Sequence, residues 1–281
     1  MTAPALRCVG LTALHAPDAG VEDLDLEVRV GEVFGFLGPN GAGKTTTIRL
    51  LLDLLRPDRG SAEVLGVETR AGGPELRRRI GFLPGDLALF PRTTGRRTLE
   101  LFAALQRAAP VRREATLDRL GFPRDALDRA VRTYSTGMRQ MIGLTIAFQH
   151  DPELLVLDEP TTGLDPMVRD GFLDLVREAR ARGRTVFLSS HVLTEVERVA
   201  DRVALIARSR LRLTATLDEL RARRPRTVTV IRRDGTRETW EHAGDPDPLL
   251  RRLAEERPLD VLIEPATLDA VFRAAVSEAG P

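Results

Sequence analysis

Gly38-Pro39-Asn40-Gly41-Ala42-Gly43-Lys44-Thr45-Thr46 follows the apolar run Val33-Phe34-Gly35-Phe36-Leu37 and opens a helix-period segment from Thr45 to Leu55. It fits the pattern G-x-x-x-x-G-K-[ST] without a mismatch, and a strand before it and a helix after it are the setting in which that pattern wraps phosphate. Glycines let backbone N–H groups close around the phosphate oxygens, and the following helix points its positive end at them. Lys44 then reaches the β- and γ-phosphates, and the Thr45 hydroxyl faces Mg²⁺. A compact ammonium on a flexible stem enters such a loop where a planar guanidinium fits poorly. Composition sharpens the point: of 42 Lys and Arg, Lys44 is the single lysine and the other 41 are arginines.

Outward from the loop, the runs Leu154–Leu157, Thr185–Leu188 and Val203–Ile206 are short, nearly continuous in apolar residues, and each precedes a helical pattern. Such runs suit strands buried on both faces of a mainly parallel sheet, so the fold class is α/β. Helices are expected at Gly137 to Gln149, Pro166 to Arg182 and Leu193 to Ala200. Between about Asp86 and Arg132 strand-like runs disappear, which places a mostly helical insert there. Past Ala222 the texture changes to a strand at Thr227 to Arg233, a turn at Asp234-Gly235 and a returning strand at Arg237 to Glu241. Pro246 and Pro248 lead into a helix over Leu249 to Glu256, followed by a strand at Val261 to Ile263 and a last helix through Phe272.

A second motif, Leu154-Leu155-Val156-Leu157-Asp158-Glu159, sets two carboxylates at a strand end 114 positions after Lys44. Ligands of open α/β sheets bind at that carboxyl edge. Asp158 there would hold Mg²⁺ and Glu159 would polarise an attacking water, although adjacent acids also occur at solvated strand ends.

Tyr134-Ser135-Thr136-Gly137-Met138-Arg139-Gln140 precedes this strand. A serine hydroxyl and exposed amides at a helix start make a second anion site, or an ordinary helix cap. Here the chain resembles the ATP-binding-cassette (ABC) family, whose signature reads Leu-Ser-Gly-Gly-Gln; Ser135 and Gly137 match, whereas Tyr134, Thr136 and Met138 depart. Thr162-Gly163-Leu164-Asp165 resembles the family's loop in which an aspartate crosses the dimer interface. Ser189-Ser190-His191 resembles its histidine switch, a task an imidazole suits because it takes either protonation state near neutral pH. Two departures stand out. The family's metal-approaching glutamine is replaced by Gly85, followed by Asp86, which is a possible metal ligand. The adenine-stacking aromatic falls on His15, 29 positions before Lys44.

The resemblance implies a P-loop NTPase, ABC ATPase core over residues 5–220, with a helical subdomain at about 86–150 and a small C-terminal α/β segment at 221–281 that is regulatory or serves dimerisation. It implies ATP and Mg²⁺ as cofactors, with Gly38, Pro39, Asn40, Gly41, Ala42, Gly43, Lys44, Thr45 and Thr46 around the phosphates. Thr45 and Asp158 are the implied metal ligands, and Glu159, His191 and Lys44 the catalytic groups. Ser135, Gly137 and Asp165 are implied to act across a head-to-tail homodimer. Similarity to the ATPases of drug and antibiotic exporters implies integral membrane permease subunits as partners.

Composition agrees with a protein-docked ATPase. With 42 basic and 41 acidic residues, the formal charge is +1, which argues against a dedicated nucleic-acid binder. No uncharged stretch exceeds 11 residues, too short to span a bilayer at about 18–20 apolar residues, so a transport path is expected on other chains. The N-terminus shows no secretion signal, and one cysteine, Cys8, excludes an internal disulfide. The expected location is cytoplasmic, on the inner face of the membrane through the permease. The alternative is a soluble ABC ATPase gating assembly or resistance. A DNA-end clamp would need a long heptad insertion between Lys44 and Ser135, an interval of only 91 positions.

Overall fold

The computed structural model describes residues 3–16, 19–222, 226–242 and 245–265. The chain divides into two compact units, the first ending at Thr214 and the second beginning at Ala215. The first runs β1 (Leu6–Ala16), β2 (Ala19–Val28), β3 (Val33–Leu37), α1 (Lys44–Leu51), β4 (Arg59–Val64), β5 (Val67–Glu68), α2 (Thr69–Arg78) and β6 (Ile80–Leu83). It continues through α3 (Gly95–Gln106), α4 (Arg113–Arg119), α5 (Thr136–Phe148), β7 (Leu154–Asp158), α6 (Pro166–Ala181), β8 (Thr185–Ser190), α7 (Leu193–Val196), β9 (Arg202–Ala207) and β10 (Arg210–Thr216).

The main sheet has the order β10-β9-β3-β8-β7-β6. Strands β9, β3, β8, β7 and β6 pair in parallel. Every residue of β3, β7 and β8 is buried, as continuous apolar runs require when helices cover both faces. Phe34, Phe36 and Phe187 stack across neighbouring strands in that core.

A second, four-stranded sheet, β2-β1-β4-β5, packs into the same core and went unread in the sequence. Its alternation is broken by register shifts between Cys8 and Leu11, Leu11 and Ala13, and Leu14 and Ala16, so no single two-residue period runs through β1. Burial pushes the Cys8 thiol, on that strand, up to about 12.

Between β6 and β7 lie α3, α4 and α5 with two short 3₁₀ turns, at Arg124–Asp128 and Val131–Thr133, so the insert is helical as expected. Tyr134 is buried at its base and its hydroxyl donates to the Ala126 carbonyl at 2.7 Å. Helix α1 stops at Leu51 rather than Leu55, because Asp53 turns left-handed and the Leu54 and Leu55 N–H groups return to the Arg49 carbonyl. Helix α7 likewise ends at Val196: after the Glu197 N–H, which still bonds the Leu193 carbonyl, the Arg198 and Val199 N–H groups close tighter turns on the Glu195 and Val196 carbonyls.

The second unit contains α8 (Leu217–Ala222), β11 (Arg226–Ile231), β12 (Arg237–His242), α9 (Pro246–Glu256) and β13 (Asp260–Pro265). Its antiparallel sheet, β12-β11-β13, is covered by Leu249 and Leu253 of α9, which pack on Val228 and Val230. Pro246 and Pro248 fall inside the first turn of α9, where no intrahelical N–H is needed. The helix expected through Phe272 lies outside the described residues. Among those residues no helix is long and apolar enough to cross a membrane.

Two outcomes are expected from the packing. Gly171 of α6 faces the Arg119 carbonyl at the end of α4, and a methyl group there would overlap that oxygen. Gly171→Ala should cost about 1–3 kcal/mol and lower the calorimetric melting temperature by several degrees, whereas an unchanged transition would contradict the packing. Burial holds the His150 imidazole below its usual value. Its stabilising contribution is therefore complete above the unfolded value of about 6.5 and lost as pH falls through the lower folded value. Denaturant titrations should show stability declining from pH 7 to pH 5, with a flatter decline in His150→Gln.

Candidate active site

Register delivers the chemistry to one edge of the main sheet. Leu37 of β3 stands beside Ser190 of β8, and Asp158 of β7 stands beside Ser189 of β8, so three strand ends finish in one row. The phosphate-loop motif leaves from the first, Glu159 from the second and His191 from the third.

Lys44 opens α1 and is only 6% exposed. Its ammonium donates to the Gly38 carbonyl at 2.7 Å and the Pro39 carbonyl at 3.2 Å, and lies 3.1 Å from Glu159 Oε1. The other Glu159 oxygen, Oε2, is 2.7 Å from His191 Nδ1. One carboxylate thus bridges a buried cation and a half-exposed imidazole. Glu159 has a left-handed backbone (φ 48°) just before Pro160, the kind of local strain that structures retain at working sites.

Asp158 is buried and fully engaged. Thr45 Oγ1 donates to its Oδ2 at 2.8 Å, and Ser189 Oγ to its Oδ1 at 2.5 Å. Ser189 Oγ in turn accepts the Glu159 N–H at 3.1 Å. Ser189 carries no motif signal of its own, although it stands directly before Ser190-His191 in a buried strand. The backbone at Gly85 passes over this carboxylate, and a methyl group there would stand 3.1 Å from Asp158 Oδ2. Asp86 is exposed and reaches Arg49 at 3.4 Å rather than Asp158.

A hydroxyl and a carboxylate are hard oxygen donors that fit Mg²⁺, which keeps waters and substrate phosphates among its ligands instead of an all-protein cage. No group of three or more His, Cys, Asp and Glu gathers as a metal site among the described residues.

His15, Gly20, Pro39, Asn40, Gly41, Gly43, Lys44, Thr45, Thr46 and Glu159 line a single open cavity of about 200 Å³. Gly38 and Ala42 are buried and do not line it. Gly43 takes φ 111° with the Gly20 carbonyl of β2 packed against it, so any side chain there would overlap that oxygen. This contact sets the β1–β2 hairpin, and His15 with it, beside the loop.

Ser135, Gly137 and Asp165 gather elsewhere. Ser135 caps α5 by accepting the Met138 N–H at 3.1 Å, and Asp165 caps α6 by accepting the Val168 N–H at 2.9 Å. Gly137 and Gly163 face each other: a methyl group on Gly137 would stand 3.1 Å from the Gly163 carbonyl, and one on Gly163 would stand 2.9 Å from Thr136 Cγ2. Thr136, the departure from the signature pattern, is therefore seated on Gly163. None of Ser135, Gly137 and Asp165 lines the cavity around Lys44.

The chain matches the family model described as ABC transporter over residues 21–162. An uncharacterized ABC transporter ATP-binding protein of Nostoc sp. is 42% identical over 200 residues, 69% of this chain and 59% of that protein. This chain therefore spans about three-fifths of that relative's length. The daunorubicin/doxorubicin resistance ATP-binding protein DrrA of Streptomyces peucetius is 40% identical over 222 residues, 78% of this chain and 67% of its own. The fluoroquinolones export ATP-binding protein of Mycobacterium tuberculosis is 36% identical over 279 residues, 95% of this chain and 91% of its own. Among solved structures, an ATP binding subunit of an ABC transporter superposes with a TM-score of 0.71 at 29% identity, covering 77% of this chain and 92% of that one. With its α/β core, phosphate loop and acidic strand end in the family's order, the chain belongs to the ABC transporter family, among its ATP-binding proteins.

Proposed function

We propose that the chain hydrolyses ATP between two copies of itself, joined head to tail, and that closing and reopening of this pair drives a separate membrane permease. The observation that carries the reading is the Glu159 carboxylate held between Lys44 and His191 at the mouth of the phosphate loop. Glu159 is the ammonium's counter-ion here, and a nucleotide γ-phosphate brings the charge that replaces it. Glu159 is then available to accept a proton from a water aimed at that phosphate, while His191 steadies the opposite carboxylate oxygen. Lys44 and the loop Gly38–Thr46 hold the phosphates, and His15 stacks on adenine from the cavity rim. Thr45 and Asp158 would hold Mg²⁺, which would supply charge neutralisation at the phosphate oxygens; Asp86, turned toward Arg49, is left out of that ligand set.

A cavity of about 200 Å³ is smaller than the roughly 300–1,000 Å³ of an enclosing ligand site, so a second surface is needed to cover the nucleotide. Ser135 and Gly137 of the other copy supply it, with Asp165 at the shared interface. ATP binds the closed form in preference to the open one and its products do not, which makes a two-state motor. The ATP-binding core spans 5–220, its helical part lies at about 86–150, and 221–281 is a regulatory or dimerisation segment. The names of the resistance and export relatives favour export of a drug, antibiotic or lipid-like substrate. The chain then works at the inner, cytoplasmic face of the membrane, bound to its permease and not to nucleic acid.

Glu159→Gln should keep ATP binding, lose at least about a hundredfold in phosphate release, and accumulate as an ATP-bound dimer by light scattering. Ordinary hydrolysis would remove Glu159 from the catalytic role. Lys44→Arg conserves charge but not shape, and its turnover should fall severely; near-normal phosphate release would contradict the role given to the ammonium. Affinity purification should recover a polytopic membrane protein, and recovery of ribosomes or DNA in its place would overturn the transport reading.

A further inference from the structure

Glu195 lies four residues after His191, in α7, and takes no part in the chemistry above. Its side chain is 13% exposed, and its two carboxylate oxygens reach Thr161 in the loop that joins Glu159 to α6 and Arg169 in α6 itself. Thr161 Oγ1 donates to Glu195 Oε2 at 2.5 Å, and Arg169 Nη1 lies 3.3 Å from Oε1. Arg169 Nε also donates to the Leu164 carbonyl at 2.9 Å, so one guanidinium clasps both partners. The loop itself is two consecutive turns, closed by the Thr162 N–H on the Glu159 carbonyl at 3.2 Å and the Leu164 N–H on the Thr161 carbonyl at 3.1 Å. On the other side, Ser190 Oγ accepts the Val192 N–H at 2.9 Å and fixes the His191 segment to the start of α7.

The void beside Thr161 and Glu195 is about 10 Å³, room for one water at most, so solvent is a poor substitute for either partner. A charge-assisted bond in so closed a place is among the stronger side-chain contacts.

We propose that Glu195 is a positioning residue, which through Thr161 and Arg169 locks the loop ending at Asp165 to the segment carrying His191. The loop that faces a second copy and the imidazole that touches Glu159 then move as one body. The proposal deepens the ATPase reading and rests on it for its consequence in turnover, but the lock itself is a property of the chain without nucleotide.

Amide hydrogen exchange on the whole protein tests the lock directly. Glu195→Ala and Thr161→Val should each raise exchange about tenfold or more in both 161–165 and 191–196, with the double variant no faster than Glu195→Ala alone. Thr161→Ser keeps the hydroxyl and should exchange at the parental rate. In phosphate release the two disruptive variants should lower kcat about tenfold or more with KM for ATP within about threefold, and Thr161→Ser should restore kcat. The proposal is overturned if Thr161→Val loosens only its own loop, if the two variants act independently, or if Thr161→Ser behaves like Thr161→Val. Absence of ATP turnover in the parent would sink the ATPase reading and leave the exchange result to decide the lock.

Discussion

A buried ammonium governs this molecule's working edge. Taking a lysine out of water costs several kcal/mol unless close partners replace the lost hydration. Lys44 has two loop carbonyls and the Glu159 carboxylate in that role. The carbonyls come with the loop's own fold, whereas Glu159 comes from a strand more than a hundred residues further along. The pairing therefore needs β3 and β7 to end level, with β8 between them, which the parallel register provides. Asp158, Thr45 and Ser189 form the adjoining hydrogen-bonded layer, and His191 closes the outer side of Glu159.

The same edge explains where sequence patterns were legible and where they were not. Runs such as Leu154–Leu157 were readable because a strand buried on both faces leaves no position for a polar residue. The phosphate loop was readable because its glycines answer to backbone geometry: Gly43 needs a positive φ and leaves no room beside the Gly20 carbonyl. By contrast, β1 and β2 hid behind bulges, although they bring His15 to the cavity. The end of α1 was missed because a left-handed Asp53 has no strong local signal. Polar contacts between distant segments, such as Ser189 with Asp158 or Thr161 with Glu195, depend on tertiary register and carry no period to read.

The site residues named from sequence separate into two places in one copy of the chain. Lys44, Thr45, Asp158, Glu159 and His191 meet at the sheet edge. Ser135 and Asp165 cap helices near Gly163, which Gly137 faces and where Thr136 fills space that a glycine would leave open. Under the proposed function, a nucleotide touching both groups would lie between two chains.

The most direct measurement mixes two inactive variants. Lys44→Ala disables the phosphate loop and leaves Ser135 and Gly137 intact; Gly137→Glu does the reverse. Each alone should release phosphate only at background. If a site is built from both copies, a one-to-one mixture contains dimers in which an intact loop meets an intact partner, and hydrolysis should reappear at a substantial fraction of the parental rate. A mixture as silent as its components, with both variants shown to be folded and to associate, would contradict a site shared between copies.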